Sequence, residues 1–302
     1  MFPTVRIGTR GSPLALVQAR AVATALRDAH GWGPEQIEIV PITTTGDQIR
    51  DRPLSEIGGK GLWTKELDRA LLDGLTDISV HSMKDVETLR PDALTIGAML
   101  PRADVTDRLI GAESLDALRQ GARFGTSSPR RAAQLLARRP DFEIVTFRGN
   151  VESRLRKIEM GEVHATLLAS AGLLRLGHDD VGTVLHDFLP APAQGAVGVE
   201  ARSGDSRTLG FLRGIDDRET HRCVATERRL LAGLGGSCRS AVAALARLEG
   251  DHFHLRAEIL SPDGREVQSI DTRFPAADEA APGDLAREML GRATPALRAL
   301  FG

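Results

Sequence analysis

Val5-Arg6-Ile7-Gly8-Thr9-Arg10-Gly11-Ser12-Pro13-Leu14-Ala15-Leu16-Val17 reads as a strand, a turn and the start of a helix. Val5 to Gly8 has the short β-branched pattern of a strand. Ser12 is an N-cap residue type, and Pro13 suits the first helical position, where a backbone N–H would be unpaired in any case. Apolar residues then run from Leu14 through Leu16, Val17 and Ala21 toward Leu26, with Gly31 beyond the end. A strand feeding a capped helix is the unit from which parallel α/β sheets are built.

Outward from this stretch the same order recurs. Strands are expected at Ile37–Ile42, Ile78–Ser82 and Leu94–Ala98, with an amphipathic helix over Leu62–Leu72 stopped by Gly74. From about residue 103 the pattern restarts: Arg123-Phe124-Gly125 into a helix at Pro129–Arg139, Glu143–Phe147 into Val151–Met160, Ala165–Ala169 into Gly172–Leu176. A Pro-rich joint, Leu189 to Gly195, reads as an inter-domain crossing. The remainder changes character: a helix from about Glu219 to Leu234, strands near Ala241–Leu248, Phe253–Leu260 and Val267–Phe274, and a closing helix over Asp284–Leu300. The expected fold class is therefore α/β, with two similar α/β domains and a small α+β C-terminal domain. Residues 43–61 are polar, Gly-rich and longer than an ordinary connection, as expected of a segment that is disordered or covers a site.

Composition narrows the partners. With 302 residues the chain has room for two or three domains. Its 39 Lys+Arg against 41 Asp+Glu give a net charge of −2, whereas a chain built around nucleic acid or an anionic membrane would be more basic. No window reaches the ~18 uncharged apolar residues of a membrane span. Two cysteines, Cys223 and Cys238, make no disulfide framework, and Met1 to Arg6 lacks the apolar stretch of an export signal, so a cytoplasmic protein with reduced thiols is expected.

Three strand-to-helix turns pair a capping residue with a basic one: Arg10-Gly11-Ser12, Thr126-Ser127-Ser128-Pro129-Arg130-Arg131 and Arg148-Gly149-Asn150 with Arg154 one turn on. Helix N-termini offer unpaired N–H groups, and Arg adds a fork that matches carboxylate or phosphate. Several such sites in a nearly neutral chain point to a small polyanionic ligand. Lys84-Asp85 directly follows a strand. It reads equally as a surface ion pair or as a carboxylate placed to steady a developing cation or pass a proton to a leaving amine. His81 reads as a packed residue, with no partner visible in the sequence. Cys238, in Gly235-Gly236-Ser237-Cys238-Arg239, is the candidate reactive thiol, while Cys223 falls in a helix and is expected buried. Cys223, His221 and Cys238 have poor ligand spacing, so no metal is expected. Gly58-Gly59-Lys60-Gly61 lacks the GxxxxGK[ST] order of an ATP-binding loop.

Taken in order, Arg10 to Leu16, Gly58 to Leu62, His81-Ser82-Met83-Lys84-Asp85-Val86, Gly125 to Arg131, Arg148-Gly149-Asn150-Val151, Ala171 to Gly177 and Gly236-Ser237-Cys238 resemble the porphobilinogen deaminase (hydroxymethylbilane synthase) family, in register from residue 5 to about 245. The resemblance implies two periplasmic-binding-protein-like α/β domains with a cleft between them: domain 1 at 1–100 with 195–216, domain 2 at 101–194, and domain 3 at 217–302 carrying the cofactor cysteine. It also implies a transferase that condenses four porphobilinogen molecules head to tail, losing ammonia at each step, and releases hydroxymethylbilane. The implied cofactor is a dipyrromethane joined by a thioether to Cys238. By the same matching Asp85 would be the catalytic carboxylate. Arg10, Ser12, Lys84, Thr126, Ser128, Arg130, Arg131, Arg148, Arg154 and Arg175 would hold acetate and propionate groups, and Lys60 would lie on a mobile loop. A cytoplasmic monomer acting on porphobilinogen, without nucleic acid or membrane, is implied. From the two-domain pattern alone, a non-catalytic binding protein for a polyanionic small molecule fits as well, although it has no evident use for the Cys238 loop. Four positions depart from the family pattern: Glu87 and Pro129 replace the usual Pro and Leu, Ala193 replaces Gly, and no proline follows Cys238 closely.

Overall fold

Strand β1 (Val5–Arg10) enters the interior with Val5, Ile7, Gly8 and Thr9 buried, and leaves Arg10 half-exposed at its carboxyl end. The computed structural model in which this is seen describes residues 4–44, 64–237 and 240–301, so Lys60 and Cys238 lie outside the described residues. Helix α1 (Pro13–His30) follows as the sequence predicts: Ser12 Oγ accepts from the Ala15 N–H, Pro13 opens the first turn, and Gly31 closes the helix at φ 64°. Its buried stripe, Ala15, Gln18, Ala19, Val22 and Leu26, has helical spacing.

The chain then lays down β2 (Ile37–Ile42), α2 (Lys65–Leu72), β3 (Ile78–Ser82) and β4 (Leu94–Met99) before leaving for a second unit. There it forms β5 (Asp107–Ile110), β6 (Arg123–Gly125), α3 (Pro129–Arg138), β7 (Glu143–Val145), α4 (Val151–Glu159), β8 (Ala165–Ala169), α5 (Ser170–Arg175) and β9 (Thr183–Leu185). It returns with β10 (Val197–Arg202) and α6 (Ser206–Leu212), then runs through α7 (Arg218–Gly233). The two compact units are Met1–Ala103 with Gly195–Arg222, and Asp104–Gln194 with Cys223–Gly302.

Both units repeat one topology. The first sheet has the order β2-β1-β3-β10-β4 and the second β7-β6-β8-β5-β9. In each, three strands are parallel and the fourth is antiparallel to both neighbours. In each, that fourth strand is the one that has just crossed from the other unit. The expectation of two similar α/β domains is met by this order, and the sites predicted at the carboxyl ends of β1, β3, β6 and β8 fall in equivalent places.

Strand β10 was not legible in the sequence, and β5 and β9 were likewise missed. Val197, Gly198, Val199, Glu200 and Ala201 are all buried, so β10 shows no in–out alternation, and Glu200 interrupts its apolar run. The closing helix is a correction: α8 (Ala281–Arg292) stops at Ala293, and Pro295 opens a separate short helix, α9 (Pro295–Arg298), capped by Thr294. Proline cannot donate to the preceding turn, so it serves here as a start rather than as an interior residue.

The C-terminal part of the second unit is an antiparallel meander, β11 (Val242–Glu249), β12 (His252–Leu260) and β13 (Val267–Pro275). It has its own core, in which Leu230 and Leu231 of α7, and Leu234 just beyond it, meet Leu255, Ile259, Met289 and Phe301. Cys223 belongs to this core and is buried, as expected. The joint from Leu189 to Gln194 is sewn into the same unit. Pro190 O accepts from the Ala244 N–H at 3.0 Å. The buried Glu227 carboxylate accepts the N–H groups of Ala193 (2.6 Å) and Ala246 (2.8 Å). Ala193 holds φ 63°, a left-handed conformation that suits the glycine usual in the resembled family.

Candidate active site

The turn bearing Asp85 is fixed from both sides. After β3 the chain makes a single 3-10 turn, Met83–Asp85, in which Met83 is buried and Val86 closes the turn by donating to Met83 O at 3.3 Å. Met83 N–H donates to Ala196 O at 3.1 Å, tying the turn to the start of β10. Two buried anchors, Met83 and Val86, leave Lys84 and Asp85 half-buried between them. Gly198 makes this possible: a Cβ there would collide with Met83 Sδ, and the side chain is packed in on all sides.

Asp85 lines one pocket of the first unit together with Arg10, Ser12, Gln18, His81 and Ser82. Arg10 comes from the carboxyl end of β1, Ser12 from the N-cap of α1, and His81 from β3. Gln18 Nε2 donates to Ser82 Oγ at 2.8 Å, joining the helix to the strand behind the pocket. A cation, a helix N-terminus and one carboxylate therefore face the same space, a donor set that receives an anionic substituent while Asp85 faces an N–H or a developing cation.

Behind the pocket lies a buried ionic network that sequence reading missed. Arg90 donates from Nε to Glu200 Oε1 (2.8 Å) and from Nη2 to Glu200 Oε2 (2.9 Å). It also reaches Asp68 Oδ1 at 2.5 Å and Glu87 Oε2 at 2.6 Å, while Thr64 Oγ1 donates to Glu87 Oε2 at 2.8 Å. His81 Nε2 lies 3.2 Å from Glu200 Oε2, and both side chains are almost fully buried. Burial alone would push the Glu200 carboxyl up, but His81 and Arg90 outweigh it and hold it down at about 2. Asp68 is pushed up by burial, against the pull of Arg90. Glu87, where the resembled family has Pro, thus has a defined task as one of three acids around Arg90.

In the second unit, β6 runs into Thr126-Ser127-Ser128. Thr126 Oγ1 accepts from the Ser128 N–H at 3.1 Å, and Ser128 Oγ caps α3 through the Arg131 N–H. The Pro129 departure is harmless, since it occupies the first helical position. The guanidinium groups of Arg130 and Arg131 turn inward onto Asp107, at 2.9 and 2.7 Å, and also donate to Leu189 O and Leu167 O. Burial lowers the Arg130 pKa, opposed by Asp107. Asn150 Oδ1 caps α4 through the Ser153 N–H at 2.9 Å, and Arg154 Nε donates back to Gly149 O at 2.9 Å. Arg148 and Arg175 are half-buried, and burial lowers the pKa of Arg175.

Two family models cover nearly the whole chain: "Porphobilinogen deaminase, dipyromethane cofactor binding domain" over residues 5–210 and "Porphobilinogen deaminase, C-terminal domain" over 221–291. The chain belongs to the porphobilinogen deaminase family. The porphobilinogen deaminase of Sphingopyxis alaskensis is 51% identical over 305 residues, spanning 98% of this chain and 96% of that one. The porphobilinogen deaminase of Paracoccus denitrificans is 53% identical over 295 residues, 96% of this chain and 94% of that one. Among solved structures, a periplasmic substrate-binding protein of an ABC transporter from Coxiella burnetii matches at 14% identity with a TM-score of 0.44, over 74% of this chain and 97% of that one.

Within this porphobilinogen deaminase family chain, the predicted residues fall into two groups. Arg10, Ser12, Lys84 and Asp85 belong to the first unit, and Thr126, Ser128, Arg130, Arg131, Arg148, Arg154 and Arg175 to the second. The donor set fits a dipyrromethane. Arg10 and the start of α1 suit its carboxylates, and Asp85, the carboxylate of the same pocket, suits pyrrole N–H groups. Among the missed residues, Arg90, Glu200 and Asp107 left one faint signal, a lone Glu inside the apolar run Val197 to Ala201.

Proposed function

We infer that the chain condenses four porphobilinogen molecules, head to tail and with loss of ammonia, into hydroxymethylbilane. The observation that carries this reading is Asp85 in one pocket with Arg10, Ser12 and Gln18, in a chain matched by the family along almost its full length. The dipyrromethane, when bound, supplies the primer pyrrole on which the chain of four is built.

Asp85 accepts pyrrole N–H hydrogen bonds and steadies the cation left as the aminomethyl nitrogen departs. Arg10, Ser12 and Lys84 hold carboxylates beside it. Thr126, Ser128, Arg130, Arg131, Arg148, Arg154 and Arg175 hold carboxylates in the second unit, Arg130 and Arg131 while paired with Asp107. Cys238 forms the thioether, and Lys60 contributes from the 43–61 segment. The working protein is a cytoplasmic monomer of three domains, 1–100 with 195–216, 101–194 and 217–302. Support for this division comes from the main hydrophobic cluster under each of the three sheets, with the second and third joined by Ala133, Ala241 and Leu260. Among the described residues no helix is long and apolar enough to cross a membrane.

The test is turnover of porphobilinogen by wild type and by Asp85→Asn. The wild type should form hydroxymethylbilane, and the variant should keep its fold and its attached cofactor while losing at least ~100-fold in rate. Wild-type-like turnover by the variant would remove Asp85 from this role.

A further inference from the structure

Each condensation leaves one proton to be moved. The carbon–nitrogen bond of an aminomethyl group breaks, a carbon–carbon bond forms to the free α-carbon of a second pyrrole, and the hydrogen of that α-carbon must leave as a proton: RCH2NH3+ and ArH give RCH2Ar and NH4+. Asp85 is most useful as an anion, because it steadies a cation. A carboxylate that has taken the α-hydrogen no longer does so. A second acceptor in the same pocket leaves Asp85 an anion throughout.

Of the other polar residues lining that pocket, Arg10 is a fixed cation, and Ser12, Gln18, Thr64 and Ser82 are neutral groups without useful basicity. His81 is different. It is among the residues that line the pocket, its side chain is 6% exposed, and its Nε2 lies 3.2 Å from the buried carboxylate of Glu200 on the face of β3 away from α1. Glu200 is itself clamped by two hydrogen bonds from Arg90. An imidazole turned by one nitrogen onto an immobile carboxylate presents its other nitrogen, Nδ1, as the acceptor, and the carboxylate stabilises the imidazolium once formed. The charged groups facing His81 are Glu200 on β10, Asp68 on α2 through Arg90, Glu87 through the same guanidinium, and Asp85 and Arg10 across the pocket.

We propose that His81 is a second catalytic residue, accepting through Nδ1 the hydrogen lost from the attacked α-carbon and passing it to the departing ammonia, with Glu200 as its positioning residue. This rests on the function inferred above. A purely structural His81, bracing β3 against β10, predicts lower thermal stability with unchanged kinetics.

The experiment uses the holoenzyme with its dipyrromethane verified by intact mass, in wild type, His81→Asn, His81→Gln and Glu200→Gln. Turnover is followed across pH with ordinary porphobilinogen and with porphobilinogen deuterated at its free α-carbon. The expected result is a kcat loss of about 100-fold in the His81 variants with KM changed less than ~3-fold, and loss of the acid limb of the kcat profile. The deuterium effect on kcat rises above wild type, because loss of the α-hydrogen has become slow. In Glu200→Gln the acid limb moves to lower pH. A folded, loaded His81 variant with kcat, pH profile and deuterium effect like wild type overturns the proposal. If neither His81 variant folds, the imidazole 15N spectrum of the wild-type holoenzyme decides. A ring neutral and protonated on Nε2, titrating with the acid limb of kcat, supports the proposal, and a ring that does not titrate there overturns it. Wild type that makes no hydroxymethylbilane overturns the underlying function instead, so the two failures are distinguishable.

Discussion

Arg90 grips Glu200 with two hydrogen bonds, from Nε at 2.8 Å and from Nη2 at 2.9 Å, although the two residues lie 110 positions apart in the chain. The grip joins the segment after the Asp85 turn to strand β10, and the same guanidinium reaches Asp68 and Glu87. Removing it leaves three acids without their shared cation. Arg90→Ala should therefore cost about 3–5 kcal/mol, the range for a buried charge that loses its partner. Urea denaturation of wild type and variant measures this, and a loss under about 1 kcal/mol would show that the network is loosely solvated.

The network also sets an acid limit. Glu200 is held at about 2 against an ordinary 4.5, so its contribution to stability is complete above about pH 4.5 and drains away as pH falls toward 2. A gap of that size corresponds to roughly 3 kcal/mol. Asp68 is raised and acts with the opposite sign, returning a part of the loss on protonation. Between about pH 5 and 3, wild type should lose more stability than Glu200→Gln, and equal losses would exclude Glu200 as the group responsible.

Gly198 should resist even one methyl group. A Cβ there meets Met83, whose buried side chain has nowhere to go, so Gly198→Ala should displace the Asp85 turn. Overpacking of this kind costs about 1–3 kcal/mol, and a shift of ~1 Å in a reacting group can cost ~100-fold in rate. Gly210→Ala, exposed on α6 with nothing within 4 Å, is the control and should leave turnover intact. Full activity in Gly198→Ala would mean that the turn is not held as described.

Ala193 tests the crossing segment. An L-residue in the left-handed region costs about 1–2 kcal/mol, and glycine relieves this while adding about 0.4–1 kcal/mol of unfolded-state entropy. Ala193→Gly should thus change stability by less than about 1 kcal/mol, whereas Ala193→Val should lose more than about 2 kcal/mol. Thermal melting distinguishes them, and a Val variant as stable as wild type would contradict the backbone conformation at φ 63°.

These relationships also mark what a sequence can disclose. Helix α1 was legible because Ser12, Pro13 and Gly31 act locally, each through its own backbone. The turn chemistry at Thr126 to Ser128 and Asn150 was legible for the same reason. Strand β10 was not, because burial on both faces erases the alternation by which strands are read, and its partners β3 and β4 are remote in sequence. His81 showed no partner because Glu200 arrives only through that pairing. The inward turn of Arg130 and Arg131 was not legible because Asp107, the acid they meet, sits on β5, a strand that carried no signal of its own.

The account stands most directly on the intact mass of the purified chain under denaturing conditions, before and after addition of porphobilinogen, with the modified peptide mapped. It predicts a two-pyrrole increment on the peptide containing Cys238, further one-pyrrole increments on adding porphobilinogen, and release of hydroxymethylbilane. A chain that stays at its unmodified mass after porphobilinogen is supplied, or that carries the increment on Cys223, would contradict it.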